Sequence, residues 1–299
     1  MARKVTIFTG QWADLPLEKL APMMKEFGYD GLELATWGDH FDIDKAVKSK
    51  AYCEDKRAFL AQHGLDCFAI SNHIAGQLTC DRLDERHEAF APAKLKGDYK
   101  AMAKWAVKHQ MDAAKAARNF GVKVVTSFTG SPIWHLLYSW PPAPPAMIEA
   151  GFKQFAKIMT PILDCFGECG VKFALEVHPT EIAFDIASAQ RALEAVGNHP
   201  AFGFNYDPSH FGYQGVDYVK FLYTFKDRIF HVHFKDIQIH QDKVDEYGVF
   251  SYPALWHSPK LPGLGGVDFG AFVSALNDIR YGGYACIEVE DRAFEGSPE

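Results

Sequence analysis

The feature that most constrains the fold is a regular alternation of short apolar segments with longer helical ones. The apolar segments predict eight strands, at residues 5–9, 31–35, 66–71, 122–128, 171–177, 202–207, 229–235 and 284–289. The intervening patterns predict helices at residues 16–27, 50–63, 98–119, 151–169, 187–196, 217–226 and 269–279. Glycine-containing turns such as FGVKVV and CGVKFAL are typical of a helix end followed by a strand. Such repeats within 299 residues predict an α/β fold, a single (β/α)8 TIM barrel, rather than a doubly wound sheet.

Three segments are longer than the connections that are typical of compact domains. They cover residues 72–97, 131–147 and 237–267, and each follows the carboxyl end of a predicted strand. Barrels of this type hold their active sites on that face. No linker interrupts the repeat, so we predict one domain over residues 1–299 with its site at the carboxyl ends of the strands.

The bulk composition argues against several classes of partner. The formal net charge is −7 and the sequence pI is about 6.0, which does not favour binding to nucleic acid or to an anionic membrane. We find no secretory signal and no apolar run near the roughly 18 residues of a membrane helix. The six cysteines are scattered along the chain. We therefore predict free thiols and a cytoplasmic location.

Carboxylates and imidazoles concentrate where the predicted strands end. These residues are Glu33, His73, Glu176, His178, Asp207, His210, His231, His233, Glu288 and Glu290. A barrel brings such ends together, and buried charges that lack partners destabilise the fold by several kcal/mol per ion. A divalent cation is the simplest way to neutralise them. A set of carboxylates with an imidazole suits Mn²⁺, Mg²⁺, Co²⁺ or, less selectively, Zn²⁺.

Other kinds of site lack their sequence motifs. The chain has no Cys-x-x-Cys, His-Glu-x-x-His, EF-hand or Gly-x-Ser-x-Gly pattern and no Walker loop. The glycine-rich PGLGGVDFG at 262–270 does not fit the dinucleotide-binding pattern. These absences argue against structural zinc, calcium, a serine hydrolase, NAD and ATP.

Six stretches carry a resemblance to a known family, and they are ALEVHP (174–179), NYDPSHF (205–211), HVHFKD (231–236), CIEVED (286–291), GLELATWGDHFD (31–42) and SNHIAGQLTCD (71–81). Over nearly its whole length the chain resembles the xylose-isomerase-like sugar isomerase/epimerase barrels. The last two stretches are similar to the branch of sugar phosphate isomerases/epimerases.

The resemblance implies one divalent ion, with Mn²⁺ as the first choice, held by Glu176, Asp207, His233 and Glu288. Glu290 shares a face with Glu288 one pleat further out, and it is the alternative ligand from that strand. The resemblance also implies that Glu176 and Glu288 remove and return a proton as a general acid–base pair.

Several further side chains are expected to contact the substrate, and they are His73, His178, His210, Lys235, Trp12 and Trp134. The resemblance implies this role for His210. Lys235 is expected near the rim, where it balances the charge of an enediolate. Together with Trp256, the two tryptophans predict an aromatic mouth that suits a sugar ring.

One motif departs from the pattern of the ketose 3-epimerases. In those enzymes the His-x-His strand is followed by a segment that looks like Gly-Glu-x-Asn-Arg. In this chain the corresponding segment is Lys235-Asp236-Ile237-Gln238. A free ketose bound in the same way is therefore not expected. The aromatic segment at 246–266 is expected to form the far side of the substrate pocket, which suits a larger ligand, such as an inositol derivative or a keto-glycoside.

The leading functional prediction is a divalent-metal-dependent isomerase or epimerase that acts on a keto-sugar or inosose through an enediolate. A lyase on the same scaffold begins with the same proton abstraction, and it stays open as an inosose dehydratase or an eliminase of 3-keto-glycosides, including C-glycosides. The expected partner is a small sugar or inositol-derived substrate, with no nucleic acid and no membrane. The resemblance implies a homo-oligomer, either a dimer or a tetramer.

Two other functions are weighed against these. An apurinic endonuclease shares the metal-ligand pattern, but the fourth strand ends in Thr126-Ser127-Phe128-Thr129, without a histidine ligand. The acidic charge balance also disfavours phosphate binding. A non-catalytic sugar-binding subunit is disfavoured because acids occupy the expected ligand positions.

Overall fold

Eight parallel strands close into a barrel in the computed structural model, which describes residues 3–295. The barrel strands are β1 (Val5–Phe8), β2 (Gly31–Ala35), β3 (Asp66–Ser71), β4 (Val124–Ser127), β5 (Lys172–Glu176), β6 (Phe202–Tyr206), β7 (Ile229–Phe234) and β10 (Ala285–Ile287). Each strand pairs in parallel with the next, and β10 lies between β7 and β1 to close the ring. The predicted (β/α)8 fold is confirmed.

Helices lie between the strands. They are α1 (Leu17–Glu26), α2 (Ile43–Lys48), α3 (Lys50–Gln62), α4 (His73–Gln77), α5 (Tyr99–Phe120), α6 (Pro145–Cys169), α7 (Ile186–Ala195), α8 (Ser209–Gly212), α9 (Tyr218–Thr224), α10 (Gln241–Tyr247), α11 (Pro253–Trp256) and α12 (Phe269–Asp278). Helices α5 and α6 end at Gly121 and Gly170, whose φ values of 90° and 65° allow the left-handed turn into the next strand. These are the glycine turns that the repeat predicts.

The core between helices and strands is rich in phenylalanine. Phe166 of α6 packs edge-on against Phe173 of β5, with ring centroids 5.2 Å apart. Phe155 of the same helix contacts Phe202 of β6 at 6.1 Å. All four rings are fully buried. This packing fixes the outer faces of β5 and β6, which leaves their carboxyl ends free to present polar side chains.

The three long segments contain regular structure. Residues 72–97 form α4 and short 3-10 turns, and α6 starts at Pro145, inside the segment predicted as 131–147. Residues 237–267 contain most of an antiparallel hairpin, formed by β8 (Asp236–Ile239) and β9 (His257–Lys260). Asp236 anchors this segment because its carboxylate accepts the backbone N–H groups of Gly263, Gly265 and Val267, each at 2.9 Å.

Two other sequence predictions bear on the described residues. All six cysteines are unpaired, as predicted. Between residues 3 and 295, no helix combines the length and apolar character required to cross a lipid bilayer.

Candidate metal centre and active site

Four side chains at the carboxyl ends of neighbouring strands converge on one point. Glu176 ends β5, Asp207 follows β6, His233 lies on β7 and Glu288 follows β10. Each offers one ligand atom, and these atoms lie within 4.8 Å of one another. All four residues are buried. The structure thus brings together the set of residues that the sequence resemblance implied as metal ligands, and we call it the metal cluster.

Asp207 shows that this cluster suits a cation. Its Oδ1 accepts the backbone N–H of Ser209 at 2.8 Å. Its Oδ2 is buried, and the described residues provide no hydrogen bond to it. Burial raises the pKa of Asp207, because the charged form is poorly solvated there. This oxygen lies 3.2 Å from the Lys235 ammonium nitrogen but accepts no well-formed hydrogen bond from the described residues. Beside two more carboxylates and an imidazole, it fits a divalent ion.

Lys235 borders the cluster from inside the barrel mouth. Its Nζ lies 2.9 Å from Glu288 Oε2, 3.1 Å from Glu290 Oε2 and 3.2 Å from Asp207 Oδ2. The residue is 3% exposed, so the expected position near the rim is wrong. Burial alone lowers the pKa of Lys235, but the surrounding carboxylates outweigh it and hold that pKa well above its usual value. This ammonium is a cation that the three carboxylates share.

The two proposed acid–base carboxylates have different surroundings. Burial raises the pKa of Glu176, but hydrogen bonds from His210 and other imidazoles outweigh it and hold that pKa well below its usual value. His210 Nε2 lies 3.0 Å from Glu176 Oε1. Burial also raises the pKa of Glu288, but the charges of Lys235 and His233 outweigh burial and lower that pKa to about 2. Both are therefore bases at neutral pH, one against imidazoles and the other against an ammonium.

A second layer lies deeper in the barrel and orients His233. Glu33 on β2 accepts from His231 Nε2 and from His233 Nε2, each at 2.8 Å. The other ring nitrogen, His233 Nδ1, faces the cluster, 3.1 Å from Glu288 Oε2. Cys286 Sγ and Thr126 Oγ1 also donate to Glu33. A carboxylate behind a ligating imidazole fixes the ring orientation and raises its basicity.

A cavity of about 490 Å³ opens beside the metal cluster. It is bordered by four residues that the sequence assigned to the substrate, and they are His73, His178, His210 and Lys235. Phe8 and Trp37 also border it, and the Phe8 ring stacks on His233 with centroids 5.6 Å apart. The volume falls within the range of roughly 300–1,000 Å³ that is usual for small-molecule sites.

The structure does not place the predicted tryptophans in this cavity wall. Trp12 packs against the hydrophobic core. Trp134 contacts Phe184 edge-on at 5.4 Å. Trp256 is buried, 5% exposed, and packs against His257. The aromatic mouth predicted from these three residues is therefore not formed, and no residue of the 246–266 segment, all of which the structure describes, borders the cavity, contrary to the expectation. The aromatic side chains that border it instead include Trp37, Phe8 and Phe128.

The sequence-based prediction missed a group of cavity residues in the segment after β3. Gln77, Asp81 and His87 border the cavity together with residues of the metal cluster. Within the stretch at 71–81, the sequence-based prediction gave a role only to His73. Glu290 also borders the cavity, while the metal cluster contains Glu288.

A model of the family described as xylose isomerase-like TIM barrel matches residues 22–299. Among curated proteins, the uncharacterized protein YfiH of Bacillus subtilis (strain 168) is 24% identical over 253 residues, covering 79% of this chain and 74% of YfiH. An inosose dehydratase of Clostridium perfringens (strain ATCC 13124) is 34% identical over 146 residues. That match covers 48% of each protein, so the chain spans about half the length of this relative.

Two solved structures illustrate the shared architecture. The apo form of the 3-keto-D-glucoside 4-epimerase YcjR from E. coli has a TM-score of 0.68 and 16% identity, covering 98% of this chain and 94% of YcjR. An IolI protein solved with a zinc atom has a TM-score of 0.62 and 19% identity, covering 96% and 88%. At these identities the likeness concerns the fold. With its closed barrel and a family match from residue 22 onward, the chain belongs to the xylose isomerase-like TIM barrel family.

Proposed function

We propose that this protein is a divalent-metal-dependent enzyme that removes the proton next to the carbonyl group of a keto-sugar or inosose and returns it, as an epimerase or isomerase. One observation carries the proposal. Three buried carboxylates and an imidazole offer ligand atoms within 4.8 Å of one another, beside a cavity that two of the carboxylates border. We also propose Mn²⁺ as the ion, because carboxylate oxygens dominate the set.

Glu176, Asp207, His233 and Glu288 would hold the ion, and the ion would supply a Lewis acid for the substrate carbonyl. The surroundings of Glu176 and Glu288 hold both pKa values below that of an ordinary carboxyl group, so either side chain would be available to accept a proton from carbon. Epimerisation requires proton transfer on both faces of the planar enediolate, which two separate carboxylates can provide. The Lys235 ammonium balances the negative charge that develops.

A lyase outcome is the second candidate, and two observations favour it. The inosose dehydratase of C. perfringens has the higher identity of the two relatives described above, although the match covers only 48% of its length. His73, His210 and Lys235 border the cavity, where each can protonate a leaving hydroxyl. Both outcomes start with the same abstraction by a carboxylate. The leaving group on the neighbouring carbon separates them.

The apurinic endonuclease and the non-catalytic sugar-binding subunit have weaker support. Where an endonuclease of this family type needs a ligand at the end of β4, Ser127 instead hydrogen-bonds with Gln110 and the backbone O of Asn72. A non-catalytic subunit has no need for an assembled metal cluster that opens into a cavity. A dimeric or tetrameric state and a cytoplasmic location stay predictions.

The test is proton exchange with solvent. Metal-loaded protein is incubated in D2O with a panel of ketoses and inososes, and proton NMR follows the signal next to the carbonyl. We expect deuterium uptake that requires the metal and is lost in Glu288→Gln, with Glu85→Gln, an exposed carboxylate, as the matched control. Appearance of an epimer identifies an epimerase, and a new conjugated ketone identifies a lyase. Absence of exchange throughout the panel with metal bound would contradict the proposal.

A further inference from the structure

The cavity continues from the metal cluster to a wall formed by the segment after β3. Gln77, Asp81 and His87 border the cavity there, and we call them the distal wall. None of the three belongs to the metal cluster or to the acid–base pair. A ligand that reaches from the metal cluster to the distal wall would therefore place a part other than its reacting carbons beside these residues.

Asp81 is held in a fixed orientation within this wall. Its Oδ2 accepts hydrogen bonds from Gln77 Nε2 and from His87 Nε2, each at 3.0 Å. Its Oδ1 accepts the backbone N–H of Arg82 at 2.9 Å. The His87 ring is itself fixed, because its Nδ1 accepts the backbone N–H of Asp84 at 3.1 Å and its side chain is 7% exposed. The orientation of the carboxylate is thus set before any ligand binds.

Asp81 also keeps acceptor capacity for a ligand. A carboxylate has about four acceptor sites, and protein donors use three of those on Asp81. The side chain is 19% exposed and borders the cavity. A ligand hydroxyl can therefore donate to it, which forms a hydrogen bond strengthened by the charge of the acceptor.

The charges around the cavity disfavour an anionic ligand. Apart from imidazoles, the cations among the described lining residues are Arg86 and Lys235. Lys235 contacts three carboxylates. Arg86 binds both carboxylate oxygens of Asp84, with contacts of 2.7–3.1 Å. A phosphate group carries a charge of about −1.5 to −2 at neutral pH. Beside Asp81 it would meet a carboxylate and no unpaired cation among the described residues.

We propose that Asp81, oriented by Gln77 and His87, accepts the hydroxyl groups of an uncharged polyol, and that the ligand of this cavity is an unphosphorylated keto-polyol. Only one part of this inference, the keto group of the ligand, rests on the proposed function. The distal wall selects hydroxyls whatever reaction follows at the metal cluster. Asp81 is therefore a specificity-determining residue, separate from the groups that move the proton.

Binding of unreactive probes tests the distal wall without requiring turnover. Saturation-transfer NMR on Mg²⁺-loaded protein compares myo-inositol with its monophosphate. We expect inositol to bind more tightly than the monophosphate in the wild type. Asp81→Asn should weaken inositol binding by about tenfold, the scale of one hydrogen bond to a charged group, while Glu85→Gln leaves it unchanged. Arg86→Gln should not weaken binding of the monophosphate.

Three results would overturn the proposal: tighter binding of the monophosphate to the wild type, unchanged inositol affinity in Asp81→Asn, or binding of neither probe at millimolar concentration. Once a substrate is known, Asp81→Asn should raise KM about tenfold and keep kcat within about threefold, as expected for a contact made equally in ground and transition states. If inositol binds through Asp81 but no keto-polyol exchanges its proton, the proposed function fails while this inference stands.

Discussion

The two sides of the cavity are built on different supports. The metal cluster stands on the carboxyl ends of β5, β6, β7 and β10, where backbone pairing holds each strand; β5 and β6, for example, pair Glu176 with Asn205. The distal wall stands on the segment between β3 and α5, which contains α4 and short 3-10 turns. Its order comes from side-chain contacts such as those between Asp81 and His87.

This difference separates two tasks. Strand ends are rigid and converge by geometry, so they suit ligands that must meet at one ion. A loop segment can vary its side chains without disturbing the barrel, so it suits the choice of ligand. We therefore expect substitutions in the metal cluster to act on chemistry and metal binding. Those in the distal wall and its supports should act on ligand affinity and local stability.

The largest expected effect is loss of the acid–base pair. Glu176→Gln and Glu288→Gln each keep the shape of the side chain but remove the base, so kcat should fall by about 10²–10⁴-fold. Steady-state kinetics on the substrate found by deuterium exchange measures this. Asp81→Asn is the comparison on the other side of the cavity, and its kcat should stay near that of the wild type. If Asp81→Asn lowered kcat as much as Glu176→Gln or Glu288→Gln, the proposed separation between chemistry at the metal cluster and ligand choice at the distal wall would be contradicted.

Glu33→Gln should have the next largest effect, on metal affinity. The substituted amide can accept from one imidazole but lacks the charge that orients His233, so the dissociation constant of the ion should rise by about 10–100-fold. Competition with a chelator of known affinity measures it. Cys286→Ser keeps a donor to Glu33 and serves as the control. An unchanged dissociation constant would show that the deeper layer does not support the cluster.

Replacement of Glu181, which holds the loop after β4, should have a smaller effect. It should change how the free energy of unfolding depends on pH. Its Oε2 accepts the backbone N–H groups of Thr129 and Gly130, and burial raises its pKa from 4.5 to about 8. The folded protein therefore binds this proton more tightly than the unfolded chain. The contribution of protonated Glu181 to the free energy of unfolding is fully present below pH 4.5. It is lost as the pH rises from there through about 8.

The measurement is denaturant unfolding of the wild type and Glu181→Gln at several pH values. Between about pH 6 and pH 7 the wild type should lose about 1.4 kcal/mol of unfolding free energy relative to the variant, because one unit of pKa shift corresponds to that amount. Parallel pH profiles would mean that Glu181 is ionised in the folded protein in this range.

The smallest expected effect is on the free energy of unfolding and comes from Asp98, where the segment that carries the distal wall meets α5. Asp98 caps α5 by accepting the backbone N–H of Ala101 at 2.9 Å. Asp98→Ala should lower the unfolding free energy by about 1 kcal/mol and leave kcat unchanged. Chemical denaturation and kinetics on the same sample check this. A large loss of activity would mean that the start of α5 controls the cavity.

The same contrast explains what the sequence could and could not predict. All eight barrel strands lie within the predicted ranges, because apolar runs between glycine turns leave few alternatives. Glu176, Asp207, His233 and Glu288 meet because strand ends converge in any such barrel. Their roles as metal ligands and bases stay predictions.

Residues whose position depends on long-range contacts were not predictable. Asp81 sits against Gly130, where a Cβ would lie 2.8 Å from the Asp81 backbone nitrogen, and Gly130 has a φ of 65° that favours glycine. Nothing local in the sequence signals this approach. The tryptophan predictions used residue type alone, and the packing of each loop decided instead that Trp37 faces the cavity. For Lys235, strand alternation gave the face, but not the depth at which its ammonium is buried.

Metal content measured by atomic emission tests the central claim most directly. The wild type is purified without chelator beside Asp207→Asn, and circular dichroism establishes that both are folded. The account predicts about one divalent ion per chain in the wild type and its loss from the variant, since the buried Asp207 Oδ2 accepts no well-formed hydrogen bond from the described residues. A folded wild type that binds no divalent ion even after soaking in Mn²⁺, or an Asp207→Asn variant that retains the ion, would contradict it.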